Sequence, residues 1–198
     1  MKKGNTKERL IMAALELFSQ KGYEGTTVEE IAGYVGIKAP TMYKYLSGKE
    51  ALLQELIKRA DEEYNNGMEK GLEGADRISS GKELKEYAMR LVYFTINNET
   101  AVKMRRLLTI EQFRNEMFAQ SATRHQIEEL RTVFAEFFSR LMNDGLMIKG
   151  DADIYALEFT APVTLMIQMI DRQPDRKAQA LEMINRHFDV FVKRYCLK

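Results

Sequence analysis

The stretch from Thr27 to Glu50 constrains the fold more than any other part of the chain, because it predicts two short helices joined by a tight turn. Thr27 and Glu30 have the spacing of a capping box, in which the threonine hydroxyl and the glutamate carboxylate satisfy N–H groups of the first helical turn. Apolar residues then recur at helical spacing as far as Gly36, a residue type that favours the left-handed end of a helix. Pro40 suits the first turn of the second helix, since it has no N–H to leave unpaired.

The second of these helices, expected from Ala39 to Tyr45, is polar, basic and aromatic on its outward side. Two short helices joined by a turn that contains glycine are typical of a DNA-reading helix-turn-helix. Met42 and Leu46 are expected to face the core of the N-terminal three-helix domain, which we call the head. A second capping-box pair, Ser47 and Glu50, predicts the start of the next helix.

This stretch resembles the DNA-binding signature of the tetracycline-repressor-like (TetR/AcrR) transcriptional regulators. It reads IAGYVGIKAPTMYKYLSGKEALL, where the usual run of the family is close to IAxxxGVxxxxxYxYFxxKExLL. The preceding LIMAALELFSQKGYEGTTVEEIA is similar to the first helix of the family and its approach to the second. The resemblance covers roughly the first 55 residues, and beyond them it extends to helical architecture alone.

The resemblance implies a ligand-responsive transcriptional regulator, most often a repressor, that binds a palindromic double-stranded DNA operator as a homodimer. Lys38 stands where the family frequently has a small hydroxyl residue, so both capping of the helix and DNA contact stay open for this position. Tyr45 is as well suited to packing against the head as to DNA contact. The expected DNA-binding residues are Thr27, Lys38, Ala39, Pro40, Thr41, Tyr43, Lys44, Tyr45 and Lys49.

The charge distribution supports a nucleic-acid partner better than the net charge of +1 does. Residues 1–60 hold ten Lys and Arg against seven Glu, so a basic N-terminal region is hidden by an acidic remainder. Phosphate binding depends on such a local field. We therefore expect a helix-turn-helix DNA-binding domain over residues 1–50 and a helical ligand-binding and dimerisation domain over residues 51–198.

Composition and motifs exclude several other classes of protein. No apolar run is long enough for a membrane span, and the N-terminus lacks the apolar core of a signal peptide, so a cytoplasmic protein without membrane contact is expected. The single cysteine, Cys196, has no partner for an internal disulfide. No spacing suggests metal ligands or a nucleophile with its base, so we expect neither a cofactor nor enzymatic activity.

The remainder of the chain predicts an all-α fold of about nine helices, since no strand alternation is found. A long helix is expected from Ser47 to Tyr64, followed by a glycine-rich linker over residues 65–82. Helical periodicity then predicts further helices at about 84–98, 102–113, 123–143, 151–171 and 174–195. Ser80 is the expected cap of the first of these helices, and either Asp151 or Asp153 is expected to open the fourth.

An apolar and aromatic lining in the second domain suits a small hydrophobic or amphipathic effector. For any single lining residue, filling a core is an equally good interpretation. The expected ligand-binding residues are Tyr64, Tyr87, Tyr93, Phe94, Met104, Leu108, Gln112, Phe134, Phe138, Phe159, Met166 and Gln168.

The family architecture implies that the last two helices form a four-helix bundle with those of a partner subunit. The first of them is apolar nearly all round, which indicates burial on more than one side, either in a dimer interface or inside one domain. The expected dimerisation residues are Leu165, Met169, Leu181, Ile184, Phe188 and Phe191. The alternative to a regulator is a helical protein-interaction module that has kept the helix-turn-helix fold without operator-specific regulation.

Overall fold

The computed structural model describes residues 6–72 and 77–197, and the all-α prediction is confirmed there. The helices are α1 Thr6–Lys21, α2 Val28–Tyr34, α3 Ala39–Met42, α4 Lys49–Leu72, α5 Gly81–Asn97, α6 Glu99–Glu111, α7 Glu116–Thr123, α8 Glu129–Asn143, α9 Ala152–Arg172 and α10 Lys177–Tyr195. A π-helical turn, Arg124–Glu128, joins α7 to α8, so the described residues form nine continuous helices, as predicted. Their one β-type contact is an isolated bridge between Met147 and Cys196.

Local capping signals placed several helix ends correctly. The Thr27 hydroxyl accepts from the Glu30 N–H at 3.2 Å, and the Glu30 carboxylate accepts from the Thr27 N–H at 2.9 Å. Gly36 has φ +77, the left-handed conformation that the sequence predicted for the end of α2. Ser80 caps α5 through the Glu83 N–H, and the Asp151 carboxylate accepts two N–H groups at the start of α9.

Other boundaries differ from the prediction. Helix α4 continues to Leu72, so the predicted linker is wrong over residues 65–72, while residues 73–76 lie outside the described ranges. Regular helix in α3 ends at Met42, and residues 43–45 form a turn. Helix α7 was not predicted. The Ser47–Glu50 capping box is also wrong, because α4 begins at Lys49 and Gly48 therefore occupies the cap position.

The chain divides into two compact units, each made of two segments. The first unit comprises Met1–Asn66 and Lys103–Ala122, and the second comprises Gly67–Val102 and Thr123–Lys198. The division predicted at residue 50 followed expected function, whereas these units follow packing. Within the described ranges, no helix combines the length and apolarity needed to cross a membrane.

The core of the first unit combines the N-terminal helices with α6 and α7. The predicted inward residues of α1 are all buried, namely Leu10, Ile11, Ala14, Leu17 and Phe18. They pack in one cluster with Met42 and Leu46, which follow the prediction, and with Leu52 and Leu53 of α4. Helix α6 contributes Leu107 to the same cluster. The head is therefore stabilised partly by a chain segment that starts about fifty residues beyond it.

The core of the second unit is an aromatic cluster at the centre of α5, α8, α9 and α10. The ring of Phe159 lies 5.0 Å from that of Phe134 and 4.7 Å from those of Phe188 and Phe191, measured between centroids. Such ring pairs add to the stability that burial of their apolar area provides. The aromatic side chains of α10 thus pack inside the subunit.

Candidate nucleic-acid interface

Helices α2 and α3 are fixed to the first unit by their apolar sides. Ile31 and Ala32 of α2 are buried, as is Met42 of α3. Arg9 of α1 donates from Nη2 to the Val35 carbonyl oxygen at 2.5 Å, which ties the end of α2 to the first helix. The opposite sides of both helices are left at the surface.

The exposed side of α3 and the following turn brings most of the predicted DNA-binding residues together. Lys38, Pro40 and Lys44 are exposed, whereas Ala39 and Thr41 are half-buried. The two phenols of this segment are also exposed, Tyr43 by 55% and Tyr45 by 43%. We name residues 38–45 the reading segment, and it presents cationic, aromatic and hydroxyl groups in a run of eight positions.

Lys38 occupies the N-cap position of α3, and its predicted DNA contact stays a prediction. Its backbone is extended, with φ −86 and ψ 148, and its side chain makes no capping hydrogen bond. The ammonium is therefore available at the surface. Among the described residues, neither Lys38 nor Lys44 has an acidic partner within ion-pair distance.

Thr27 differs from the reading segment because its polar groups are already used within the protein. Its hydroxyl and its N–H both contact Glu30, and the Glu30 carboxylate also binds the Lys21 ammonium at 2.7 Å. The Lys21 ammonium and the Thr27 amide hold the pKa of Glu30 below its ordinary value. A phosphate contact of Thr27 stays a prediction, and it would have to share the cap with this carboxylate.

Lys49 is also turned toward the protein. Its Nζ donates to the carbonyl oxygens of Tyr23 at 2.9 Å and of Thr26 at 3.2 Å, and it lies 4.2 Å from the centroid of the Tyr23 ring. Because an ammonium has three N–H donors, these two bonds use most of its capacity. The predicted phosphate contact of Lys49 is untested, and the structure gives it a second role as a tie between α4 and the turn that precedes α2.

Tyr23 is a structural centre that the sequence argument missed. Its ring packs edge-on against Phe18 and Phe118, at centroid distances of 5.3 Å and 6.4 Å, and its hydroxyl donates to Glu50 at 3.0 Å. Burial, followed by the hydrogen bond to Glu50, raises the pKa of Tyr23 to about 12. Its N–H donates to a carboxylate oxygen of Glu111 at 2.8 Å. No local pattern could reveal it, since these partners come from four separate helices.

Among the described residues, two ion pairs join α1 to α4 in the first unit. Lys7 of α1 binds Glu55 of α4 at 2.5 Å, and Arg59 of α4 binds Glu8 of α1 through both guanidinium NH groups. The hydrogen bond from Arg59 holds the pKa of Glu8 below its ordinary value, and Lys7 has the same effect on the pKa of Glu55. Part of the basic excess of this region is therefore neutralised within the protein.

The predicted effector residues are distributed over two separate cores. Met104 and Leu108 are buried in the core of the first unit, because α6 turns its apolar side to the head. Gln112 donates to the Thr109 carbonyl oxygen at 3.3 Å. Tyr93 and Phe94 lie on the exposed side of α5. In the same second unit, Tyr87, Phe134, Phe138 and Phe159 are core residues and Met166 packs against that core. Gln168 of that unit bonds to Gln126 and Arg172.

The predicted effector set is therefore divided between the two units. The side chain of Tyr64 lies outside the described residues. For the buried members, the alternative interpretation of a filled core describes what the structure shows. An effector site in the second unit stays a prediction, and Met104 and Leu108 are better assigned to the head.

The predicted dimerisation residues need a correction. Ile184, Phe188 and Phe191 are buried in the core of their own subunit, so they cannot form the surface of an interface. Leu165, by contrast, is 57% exposed, and Met169 and Leu181 are half-buried. The further exposed apolar residues of α9 and α10 are Ile154, Leu157, Met183 and Val190.

Comparison with known proteins identifies the segment and the fold. The family model described as "Bacterial regulatory proteins, tetR family" matches residues 10–56. The probable HTH-type transcriptional regulator YttP of Bacillus subtilis is 34% identical over 91 residues, which are 46% of this chain and 42% of that protein. The biofilm operon icaADBC negative regulator IcaR of Staphylococcus aureus is 37% identical over 60 residues, 30% of this chain and 32% of IcaR. The chain thus spans less than half the length of these curated relatives.

Solved structures match over nearly the whole chain. A putative TetR-family regulator from Mesorhizobium loti has a TM-score of 0.75 at 24% identity and covers 96% of both chains. SmeT, the repressor of the Stenotrophomonas maltophilia multidrug efflux pump SmeDEF, has a TM-score of 0.70 at 17% identity, over 97% of this chain and 91% of SmeT. A regulator from Saccharomonospora viridis in complex with choline has a TM-score of 0.72 at 14% identity, over 98% of each chain. At these identities the matches establish the fold.

Proposed function

Because residues 10–56 match the tetR family of bacterial regulatory proteins, we propose that this chain is a member of that family and a transcriptional repressor that binds an operator in double-stranded DNA. The observation that carries the proposal is the reading segment, whose polar and aromatic side chains are exposed while Met42 and Leu46 anchor it from within. The proteins it matches are regulators, which agrees with the expected absence of enzymatic activity. A regulator of this kind acts in the cytoplasm, where the DNA is.

The reading segment can supply both kinds of contact found in protein–DNA interfaces, to base edges and to phosphates. The N-terminal end of a recognition helix contacts base edges in the major groove, which assigns this role to Lys38, Ala39, Pro40 and Thr41. Tyr43 and Lys44 follow on the exposed side and would hold phosphates, which position the protein without reading sequence. Thr41→Ala should therefore change the preferred sequence, whereas Lys44→Ala should weaken all sequences alike.

Selection of binding sites from a random DNA pool with the full chain tests this proposal. A selected site, measured at several salt concentrations, should lose affinity with Lys44→Ala and change in sequence with Thr41→Ala. Lys58→Ala is a matched control, since Lys58 is an exposed lysine of α4 that lies 3.8 Å from Glu62. Recovery of unrelated sequences only, bound with the same affinity, would favour the protein-interaction module instead.

We further propose a homodimer that binds an approximately palindromic operator. Two reading segments in successive major grooves are about 34–36 Å apart, so the two half-sites should repeat with inverted symmetry. Leu165 lies on one side of α9 with Ile154 and Leu157, and Met183 and Val190 share one side of α10, as the helical period of 3.6 residues requires. These exposed apolar residues support an interface on α9 and α10, in place of the buried aromatic residues.

We also propose that a small hydrophobic or amphipathic effector releases the DNA by binding in the second unit. The support is the apolar and aromatic character of that unit, where Tyr87 and Phe137 stack at 6.0 Å near Phe134. A hundredfold change of operator affinity needs a coupling free energy of about 2.7 kcal/mol, within the usual range for allosteric proteins. Because coupling is reciprocal, a releasing compound must bind more weakly when operator is present. Equal affinities with and without operator would exclude this mechanism.

A further inference from the structure

Glu111, at the end of α6, is a charged residue that is almost completely buried. It is 1% exposed, and its Oε1 accepts from the N–H of Tyr23, 88 residues earlier in the chain, at 2.8 Å. Burying a carboxylate is costly unless hydrogen bonds compensate, and an apolar side chain of similar size would avoid that cost. A carboxylate at this position therefore supplies a strong hydrogen-bond acceptor for the Tyr23 N–H.

The turn between α1 and α2 is shaped to receive this carboxylate. Gly22 has φ +78, which ends α1 in the left-handed conformation, and a Cβ atom built on it would lie 2.6 Å from the Glu111 Oε1. Any side chain at this position would displace the carboxylate. The hydroxyl of the buried Thr26 donates to the Gly22 carbonyl oxygen at 2.9 Å, which closes the turn on itself.

The same turn holds the start of α4. The carbonyl oxygens of Tyr23 and Thr26 accept from the Lys49 ammonium, and Lys49 is the first residue of α4, three positions after the buried Leu46. Hydrogen bonds therefore run without a break from Glu111, through the turn, to the helix that follows the reading segment. All of these residues belong to the first unit.

We propose that Glu111 is a positioning residue for DNA binding, which fixes the turn at Tyr23 and, through Lys49, the placement of the reading segment. The inference rests on the proposed DNA-binding function. Its physical basis is preorganisation: when only a fraction of molecules holds the reading segment in the binding geometry, the apparent dissociation constant rises in inverse proportion to that fraction. Helix α6 thereby gains a direct influence on operator affinity without contacting DNA.

Three variants test the proposal in the full chain. Glu111→Met keeps the length and shape of the side chain but leaves the Tyr23 N–H without an acceptor. Glu111→Gln keeps an oxygen acceptor without the charge, and hydrogen bonds to charged groups are roughly twice as strong as those between neutral groups. Met104→Ala is the control, since Met104 is a buried residue of α6 seven positions earlier, and its truncation destabilises the same core without touching the turn.

Two measurements are made at a temperature where every variant is folded: amide hydrogen exchange of the protein without DNA, and affinity for the selected operator. Glu111→Met should raise exchange at Tyr23 and across residues 39–49, and weaken operator binding about tenfold or more, as expected for an orphaned buried N–H. Glu111→Gln should give an intermediate loss of roughly threefold. Met104→Ala should leave both the exchange of residues 39–49 and the operator affinity close to wild type.

Equal losses of operator affinity in Glu111→Met and Met104→Ala would overturn the proposal, because the effect would then be one of general stability. If Glu111→Met does not fold, Glu111→Gln decides: faster exchange at Tyr23 together with unchanged operator affinity refutes the positioning role. If the wild-type chain selects no operator, the proposed function fails instead. The exchange of residues 39–49 then still shows whether Glu111 orders the reading segment.

Discussion

Lys44 and Lys49 lie five positions apart in one predicted DNA-binding set, yet the structure predicts different consequences for their removal. The Lys44 side chain is exposed in the reading segment, whereas the Lys49 ammonium bonds to two carbonyl oxygens and lies over the Tyr23 ring. Lys44→Ala should therefore weaken DNA binding at unchanged stability. Lys49→Ala should instead act mainly by lowering the stability of the head.

The magnitude follows from the contacts of Lys49. Two hydrogen bonds from a charged donor contribute about 1.5 kcal/mol each at the low end of their range, and the cation–π contact contributes about 0.5 kcal/mol. Against this, removing a cation from the first turn of a helix recovers about 0.5 kcal/mol, and alanine gains roughly 0.3 kcal/mol in helix propensity. The net loss is about 2–3 kcal/mol, compared with less than about 0.5 kcal/mol for an exposed lysine such as Lys44.

Urea unfolding followed by circular dichroism measures the stability of each variant, because the chain has no tryptophan for fluorescence. Salt titration of operator binding measures phosphate contacts, and Lys44→Ala should lower the slope by about 0.9 for each head. Lys58→Ala should change neither quantity. If Lys49→Ala is as stable as wild type and lowers the salt slope like Lys44→Ala, the ammonium binds phosphate rather than the turn, and the assigned role is refuted.

Two further predictions follow from side-chain exposure and from ion pairing. The double substitution Leu165→Glu and Val190→Glu should give a folded monomer by light scattering, since both side chains are more than half exposed. Phe188→Ala, inside the core, should instead lower the stability of the subunit by about 3–5 kcal/mol. A double variant that stays dimeric would place the interface elsewhere. Arg59 lowers the pKa of Glu8 from 4.5, so this pair stabilises the fold above the unfolded-state pKa and is lost as the pH falls through the folded value. Glu8→Gln should therefore lower the stability of the protein by less than about 1 kcal/mol at pH 7. In thermal melts, the difference in stability between variant and wild type should disappear at acid pH. A difference that persists there would exclude the ion pair as its source.

Several signals that depend on neighbours in the chain were read correctly from the sequence. The Thr27–Glu30 capping box forms because all of its partners lie within three residues. Ser47 and Glu50 have the same spacing, but the Glu50 carboxylate accepts a hydrogen bond from the hydroxyl of Tyr23, a residue of the turn between α1 and α2. The inward direction of Met42 also followed from local pattern. The position of the reading segment and its inward anchor were therefore predictable, although regular helix ends at Met42 and not at Tyr45.

Features that depend on distant partners could not be predicted in this way. The acceptors of Lys49 lie 23 and 26 residues away, so its sequence context resembled that of any cation at a helix start. Gly67 and Gly71 indicated a linker, yet α4 continues through both. A glycine inside a helix costs about 1 kcal/mol relative to alanine, a penalty that packing elsewhere along a long helix can outweigh.

The last two helices show why helical periodicity identifies an apolar face but not the surface against which that face packs. On α10, Ile184, Phe188 and Phe191 share one side, and Met183 and Val190 share another, so the sequence offers two apolar faces. Aromatic side chains bury the largest area, and in this subunit their rings pack against those of α8 and α9. The smaller apolar residues then remain at the surface. We therefore expect an interface among the apolar residues that the aromatic core leaves exposed. Packing them against a second subunit buries more apolar area and leaves the core of the first subunit intact.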